Sequence, residues 1–391
     1  MRIKLTIALL IAWFQAVGAI NSADLKVSFV NFYPGEDIYE LEGHSVIRLQ
    51  TPQSDMAVSY GMFDFNSPGF VYRFVKGETD YWVAAVPWDR FAELYRRQGR
   101  TIVEHPILLD SVQKVRLLEV LDRNLLPQNR VYRYNYVKDN CALRPLRAIQ
   151  EAVGDSIMLP APEGEAAQAK TFREVMRLYH KNYPWYQFGI DLALGSGIDY
   201  PISDAEKAFA PIVLDSQLPR AMAQGKNLTA EPIVVFQGHD ATLGPTPWYL
   251  TPMAVSLAIL VLGILFTVRD IRRLRVTRWF DAVLYALFGL AGCLLAFLIF
   301  VSVHEATSPN WLFLWLNPLA LCVPLFIWLK KCNIIVFWYQ ILNFALLIAM
   351  VALWPMLGQS ANPAFWPLVA CDALRAANYI YVTIRQRQIS R

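Results

Sequence analysis

Cys141 stands in YNYVKDNCALRPLRAI, residues 134–149, where an aromatic, strand-like run gives way to a helical pattern. Leu143, Leu146, Ile149 and Val153 form one apolar stripe that stops at Gly154. Proline is tolerated only in a first turn, so Pro145 sets the helix start at about Asn140 to Ala142, with Cys141 at the cap. A thiolate at that position is favoured by the helix dipole and by free backbone N–H groups. The same N–H groups could hold an oxyanion during acyl transfer. Cys141 is therefore a candidate nucleophile, the alternative being an inert buried thiol.

A nucleophilic cysteine needs a base. His44 heads the strand-like GHSVIRLQ directly after Gly43, where the backbone can pass close to another element, and shares a face with Val46. His105 lies within a strand pattern and reads as a core or face residue. His180 ends a helical stretch, where a cation suits the dipole, and His239 in GHD is a second choice. No second Cys or His falls at ligand spacing to Cys141, so neither a metal nor a cofactor is expected.

Those residues must be positioned by a chain that is partly in lipid. Of its 391 residues 55% are hydrophobic, too many for a purely soluble protein. The net charge of +4 is small and its arginines cluster beside apolar runs, which excludes a nucleic-acid footprint. Arg2 and Lys4, an apolar core and Val17-Gly18-Ala19 make residues 1–19 a secretory signal peptide by pattern, with a retained anchor as the alternative. Five apolar stretches follow, at about 249–268, 280–303, 311–329, 334–356 and 364–383. Basic residues follow the first, third and fifth, while the loops at 304–310 and 357–363 have none, so the positive-inside rule places the C-terminus in the cytoplasm. Cys293, Cys322, Cys332 and Cys371 lie in or beside these stretches as small apolar fillers. Asp372 and Arg375, three residues apart in the fifth, are positioned to pair with each other as a structural ion pair, the alternative being a lipid-headgroup site.

The exported half, 20–221, reads as an α+β domain. Strand patterns lie at Leu25–Val30, 43–50, Ala57–Phe65, Thr79–Val86, Thr101–Leu108 and Val131–Val137. Asp110 and Gln113 form a capping box that opens a helix through about Leu125. Residues 222–248 read as a linker into a transmembrane domain at 249–391.

GHSVIRL, YGMFDFNSPGFVYRFVKGETDYWV, GRTIVEHPILL, NRVYRYNYVKDNCALRPLRAI and GIDLALGSGID, in that order, resemble the exported domain of the Lnb-type bacterial lipoprotein N-acyltransferases. The resemblance spans roughly residues 25–220. It implies a circularly permuted NlpC-type, papain-like fold for the exported half, which the five apolar stretches follow as a five-helix transmembrane bundle. Carried over, Cys141 matches the nucleophile and His44 the base. The YGMFDF and DNC-x-x-R segments match site-lining motifs, which brings in Tyr60, Asp64, Asp139, Asn140 and Arg144. Tyr60 is the expected orienting group, because it lies on the strand after that of His44. Read without the resemblance, Asp139 and Asn140 are helix caps, Tyr60 a core residue and Asp64 a turn residue. The resemblance also implies the substrate, a membrane lipid or a diacylated lipoprotein at the inner membrane. Two rivals stand beside it: a membrane-tethered peptidoglycan amidase or endopeptidase, against which five spans count, and a non-catalytic envelope assembly factor.

Overall fold

The computed structural model describes residues 24–239 and 241–389. The signal-peptide segment 1–19 lies outside the described residues. The chain divides into two compact units, one reaching Tyr179 and resuming over Pro201–Gly244, the other comprising His180–Tyr200 and the chain from Pro245.

The first unit is organised on a seven-stranded sheet, among the described residues, built from β1 (Lys26–Phe32), β2 (His44–Gln50), β3 (Asp55–Met62), β4 (Asp80–Pro87), β5 (Ile102–Pro106), β6 (Val131–Arg133) and β7 (Ile233–Phe236). The order across it is β6-β4-β3-β2-β1-β5-β7, every neighbour antiparallel. Helix α1 (Phe70–Lys76) precedes β4, α2 (Trp88–Arg97) follows it, α3 (Ser111–Leu125) precedes β6, and α4 (Leu143–Val153) follows. Side chains alternate across a strand, so each strand serves two layers. Phe29, Ile47, Val58 and Tyr60 pack with residues of α3 and α4. Val30, Phe32, Val46 and Ala57 pack with Trp88, Phe91 and Ala92 of α2. The Asp110–Gln113 capping box is present at the start of α3, each side chain bonded to the other's backbone N–H.

Three local readings change. The strand expected over Val131–Val137 stops at Arg133, because Asn135 Oδ1 accepts from the Val137 and Lys138 amides and turns the chain. The stretch 222–248 is more than a connection: Ile233–Phe236 adds an edge strand beside β5. Residues 180–200, expected in the exported domain, belong to the second unit.

Among the described residues of that second unit, three helices are long and apolar enough to cross a membrane: Pro252–Arg273, Arg278–Phe300 and Lys330–Met356. A fourth long helix, Phe365–Ile389, carries Asp372 and Arg375. The stretch expected as a span at 311–329 is broken into short helical turns, with Pro318 and Pro324 interrupting the backbone ladder. The helix Pro184–Ala193 docks on loops of this unit: Asn310 Nδ2 donates to Leu192 O at 2.8 Å and Asn362 Nδ2 to Asp191 Oδ2 at 3.0 Å. A Cβ on Gly195 would lie 2.1 Å from Pro309 O, so only glycine admits this approach.

Asp372 and Arg375 do not pair. Arg375 Nε donates to Asp281 Oδ1 at 2.6 Å, Nη2 to Asp270 Oδ2 at 2.8 Å and Nη1 to Thr267 Oγ1 at 3.0 Å. Asp372 Oδ1 instead accepts from Asn343 Nδ2 at 2.7 Å. The two share a helix face, but carboxylates from two other helices, Asp270 and Asp281, take the guanidinium, while Asn343 of a third holds Asp372.

Candidate active site

Asn140 sets the start of α4. Its Oδ1 accepts from the backbone N–H groups of Ala142 and Leu143, both at 3.0 Å, and its Nδ2 donates to Tyr136 O and Phe209 O. Every polar atom of this buried side chain is thus committed, and its role is to cap the helix behind Cys141. The Ala142 and Leu143 amides are therefore occupied, leaving Cys141's own N–H, which points to Tyr134 Oη at a loose 3.4 Å.

The Cys141 sulfur is buried and meets donors from two elements. The Tyr134 hydroxyl and the Ser45 backbone N–H, at the head of β2, both hydrogen-bond to it. Gly61, at the irregular end of β3, closes the third side: a Cβ there would sit 3.5 Å from Cys141 Cβ and 3.2 Å from the Tyr134 ring. At φ +84° Gly61 also occupies backbone space that L side chains rarely enter. Burial pushes the Cys141 thiol up, above its ordinary value, and outweighs the donors that favour the thiolate. The expected lowering by a helix terminus is not realised, because the enclosed site desolvates the charge.

His44 is half-buried on the opposite side of β2 from Ser45, its ring parallel to that of Tyr95 and beside Phe32 and Phe91. Its Nε2 lies 2.9 Å from Ser59 Oγ. Desolvation, reinforced by the positive charge of Arg100, pushes the imidazole down to about 3. Thiol and imidazole are thus both neutral near pH 7.

Other residues singled out in the sequence lie elsewhere. Tyr60 is in the core, 1% exposed, its hydroxyl accepting from Asn124 Nδ2 at 2.8 Å, and burial raises it to about 12. Its partner is on α3, not His44. Asp64 Oδ1 accepts from the Asn66 amide in the turn after β3. Asp139 pairs with Arg144 and Arg147 at 2.5 and 2.7 Å, and the Arg144 guanidinium lies 3.3 Å over the Tyr132 ring. These contacts brace the loop before Cys141. His105 is fully buried with Asp215, Nε2 to Oδ1 2.7 Å. Asp215 also accepts from Asn31 Nδ2 and the Tyr33 hydroxyl, while Ser45 Oγ donates to Asn31 Oδ1 at 2.6 Å. His180 Nδ1 meets Gln187 Oε1 at 2.7 Å within the second unit. The His239 ring packs on Gly99. Ser45, Ser59, Gly61 and Tyr134 escaped the sequence reading. The glycine after Tyr60 and the YNY run were the available signals. Among the described residues no three His, Cys, Asp or Glu side chains form a group that could hold a metal ion.

Comparison with known families bears on this arrangement. Residues 14–177, which include His44 and Cys141, match the family model for the Lnb N-terminal periplasmic domain. Residues 245–387 match the model for the Lnb transmembrane domain. The chain belongs to the Lnb family. The two Lnb matches together take in well over half the sequence, in the order the motifs implied. The Lnb assignment makes this a membrane protein with an N-terminal periplasmic part. Neither a curated protein nor a solved structure matches the chain.

Proposed function

We propose that this Lnb protein is an inner-membrane N-acyltransferase that carries a fatty acyl group on Cys141 and delivers it to the N-terminal amine of a lipoprotein. The observation carrying this reading is the enclosure of the Cys141 sulfur by the Ser45 amide and the Tyr134 hydroxyl, one residue along β2 from His44. Ser59, rather than Tyr60, is the orienting group, since it engages His44 Nε2 and leaves Nδ1 to take a proton.

In the first half-reaction the Cys141 sulfur attacks the ester carbonyl of a lipid donor while its proton passes to His44. A C–S bond forms, the C–O bond to the glyceryl oxygen breaks, and the imidazolium returns the proton to that oxygen. In the second, the free α-amine of the lipoprotein's lipidated cysteine attacks the thioester. A C–N bond forms, the C–S bond breaks, and the amine's proton returns by way of His44 to the thiolate. The tetrahedral oxyanion in each half is stabilised by the Ser45 and Cys141 N–H groups. A transmembrane domain matched over residues 245–387 accords with a donor and an acceptor that both reside in a membrane.

Mass spectrometry of lipoprotein N-terminal peptides, from cells lacking the protein and complemented with wild type or Cys141→Ala, tests the reading. N-acylation should appear with wild type only. Equal N-acylation without the protein removes the transferase assignment. Altered cell-wall peptides in its place would favour an NlpC-type amidase.

A further inference from the structure

Helix α1, FVYRFVK, buries none of its seven residues, although most are large and apolar. Val71 is 72% exposed, and Phe65, in the turn before the helix, 55%. From this patch a series of aromatic contacts runs inward. Phe65 meets Phe63 at 4.6 Å between centroids, Phe63 meets Tyr81 at 5.4 Å, and Tyr81 stacks on Tyr134 at 4.5 Å. Tyr134 is the residue whose hydroxyl touches the Cys141 sulfur. An exposed apolar patch is thus continuous, ring by ring, with the candidate nucleophile.

We propose that this aromatic track is the binding site for the acyl chain of a membrane phospholipid donor. The inference rests on the acyltransferase reading, and names where its substrate lies. When an ester carbonyl is at the sulfur, the attached chain must run along whatever surface adjoins that sulfur, and an apolar one lowers its free energy. A patch of this kind on a membrane-tethered protein marks contact with lipid or another apolar ligand. Charge at the rim fits the same occupant. Arg73 and Lys76 lie in the last turn of α1, and Arg133 Nη1 donates to Gly77 O beside them. Arg73 and Lys76 pair with Asp80 and Glu78 in partly exposed contacts. Such surface pairs are weak, so a lipid phosphate can compete for these cations.

The test uses the full chain in proteoliposomes of palmitoyl-chain phosphatidylethanolamine and phosphatidylglycerol. Cys141 acylation is followed by mass spectrometry with these lipids, and in parallel with a soluble acetyl ester. In a Phe65→Asp/Val71→Asp variant the ratio of long-chain to acetyl transfer should fall by about tenfold or more. A Phe65→Ser/Val71→Ser variant with wild-type Tm should move the ratio in the same direction. A ratio within about twofold of wild type in both folded variants overturns the track while leaving the transferase intact. Wild-type protein that never carries an acyl group on Cys141 overturns the transferase reading, and the track with it.

Discussion

At Cys141 two effects oppose each other, and the balance sets how the thiol behaves with pH. Hydrogen bonds from Tyr134 and Ser45 favour the thiolate, but burial costs it more. Alkylation of Cys141 by iodoacetamide should therefore keep rising with pH beyond the ordinary thiol range of about 8.5. Tyr134→Phe removes a donor and should move the curve further alkaline. A plateau already reached by pH 7 would show the thiolate to be favoured after all. His44, pushed down to about 3, stays neutral through that whole range, so its protonation should add no acid limb to the rate profile above about pH 4. Ser59→Ala should lower kcat about ten- to a hundredfold with little change in KM, because a partly buried hydrogen bond worth about 1–3 kcal/mol then no longer orients the ring. Comparable losses in Tyr60→Phe but not Ser59→Ala would restore Tyr60 as the orienting group.

At the scale of elements, the site is a junction between the start of α4 and the ends of β2 and β3. The cap is one half of it. Asn140→Ala removes the acceptor for the Ala142 and Leu143 amides at the start of α4 and two further contacts, and should destabilise the protein by about 1–2 kcal/mol in thermal unfolding. The glycine in β3 is the other half. Gly61→Ala meets both an unfavourable φ and the Tyr134 ring, and should cost about 1–3 kcal/mol while slowing acylation of Cys141. Wild-type Tm and rate in this variant would show that residue 61 has room that the geometry denies it. The capping box at Asp110 and Gln113 was legible because it is local, three residues from end to end. Helix α1 was not, since its apolar residues have no face in the core and so no period to read.

At the scale of the whole molecule, the second unit is held by a buried charge cluster as well as apolar packing. Arg375 faces both Asp270 and Asp281, all three with fully buried side chains. Arg375→Met strands two carboxylates, and should destabilise the detergent-solubilised protein by about 3–5 kcal/mol. Adding Asp270→Asn and Asp281→Asn to it should recover part of the loss. An unchanged Tm in the single variant would mean the cluster contributes no net stability. The segment 180–200 belongs with this unit because its glycines and helix carbonyls fit loops more than a hundred residues later.

Residue types and spacing by themselves determined the partition into an exported part and a membrane part, the strand-then-helix setting of Cys141, and its Lnb resemblance. These are carried by hydrophobic period, proline and glycine position, and ordered motifs, all of which act over a few residues. Only the tertiary structure decided that Ser59 rather than Tyr60 meets His44, that Ser45 and Tyr134 enclose the sulfur, and that Arg375 leaves Asp372 for Asp270 and Asp281. Each of those depends on which face of a strand or helix meets which distant neighbour. The direction of the Cys141 shift followed the same division: a helix terminus is visible in sequence, whereas the burial that outweighs it exists only once the sheet, the Tyr134 ring and Gly61 close around the thiol.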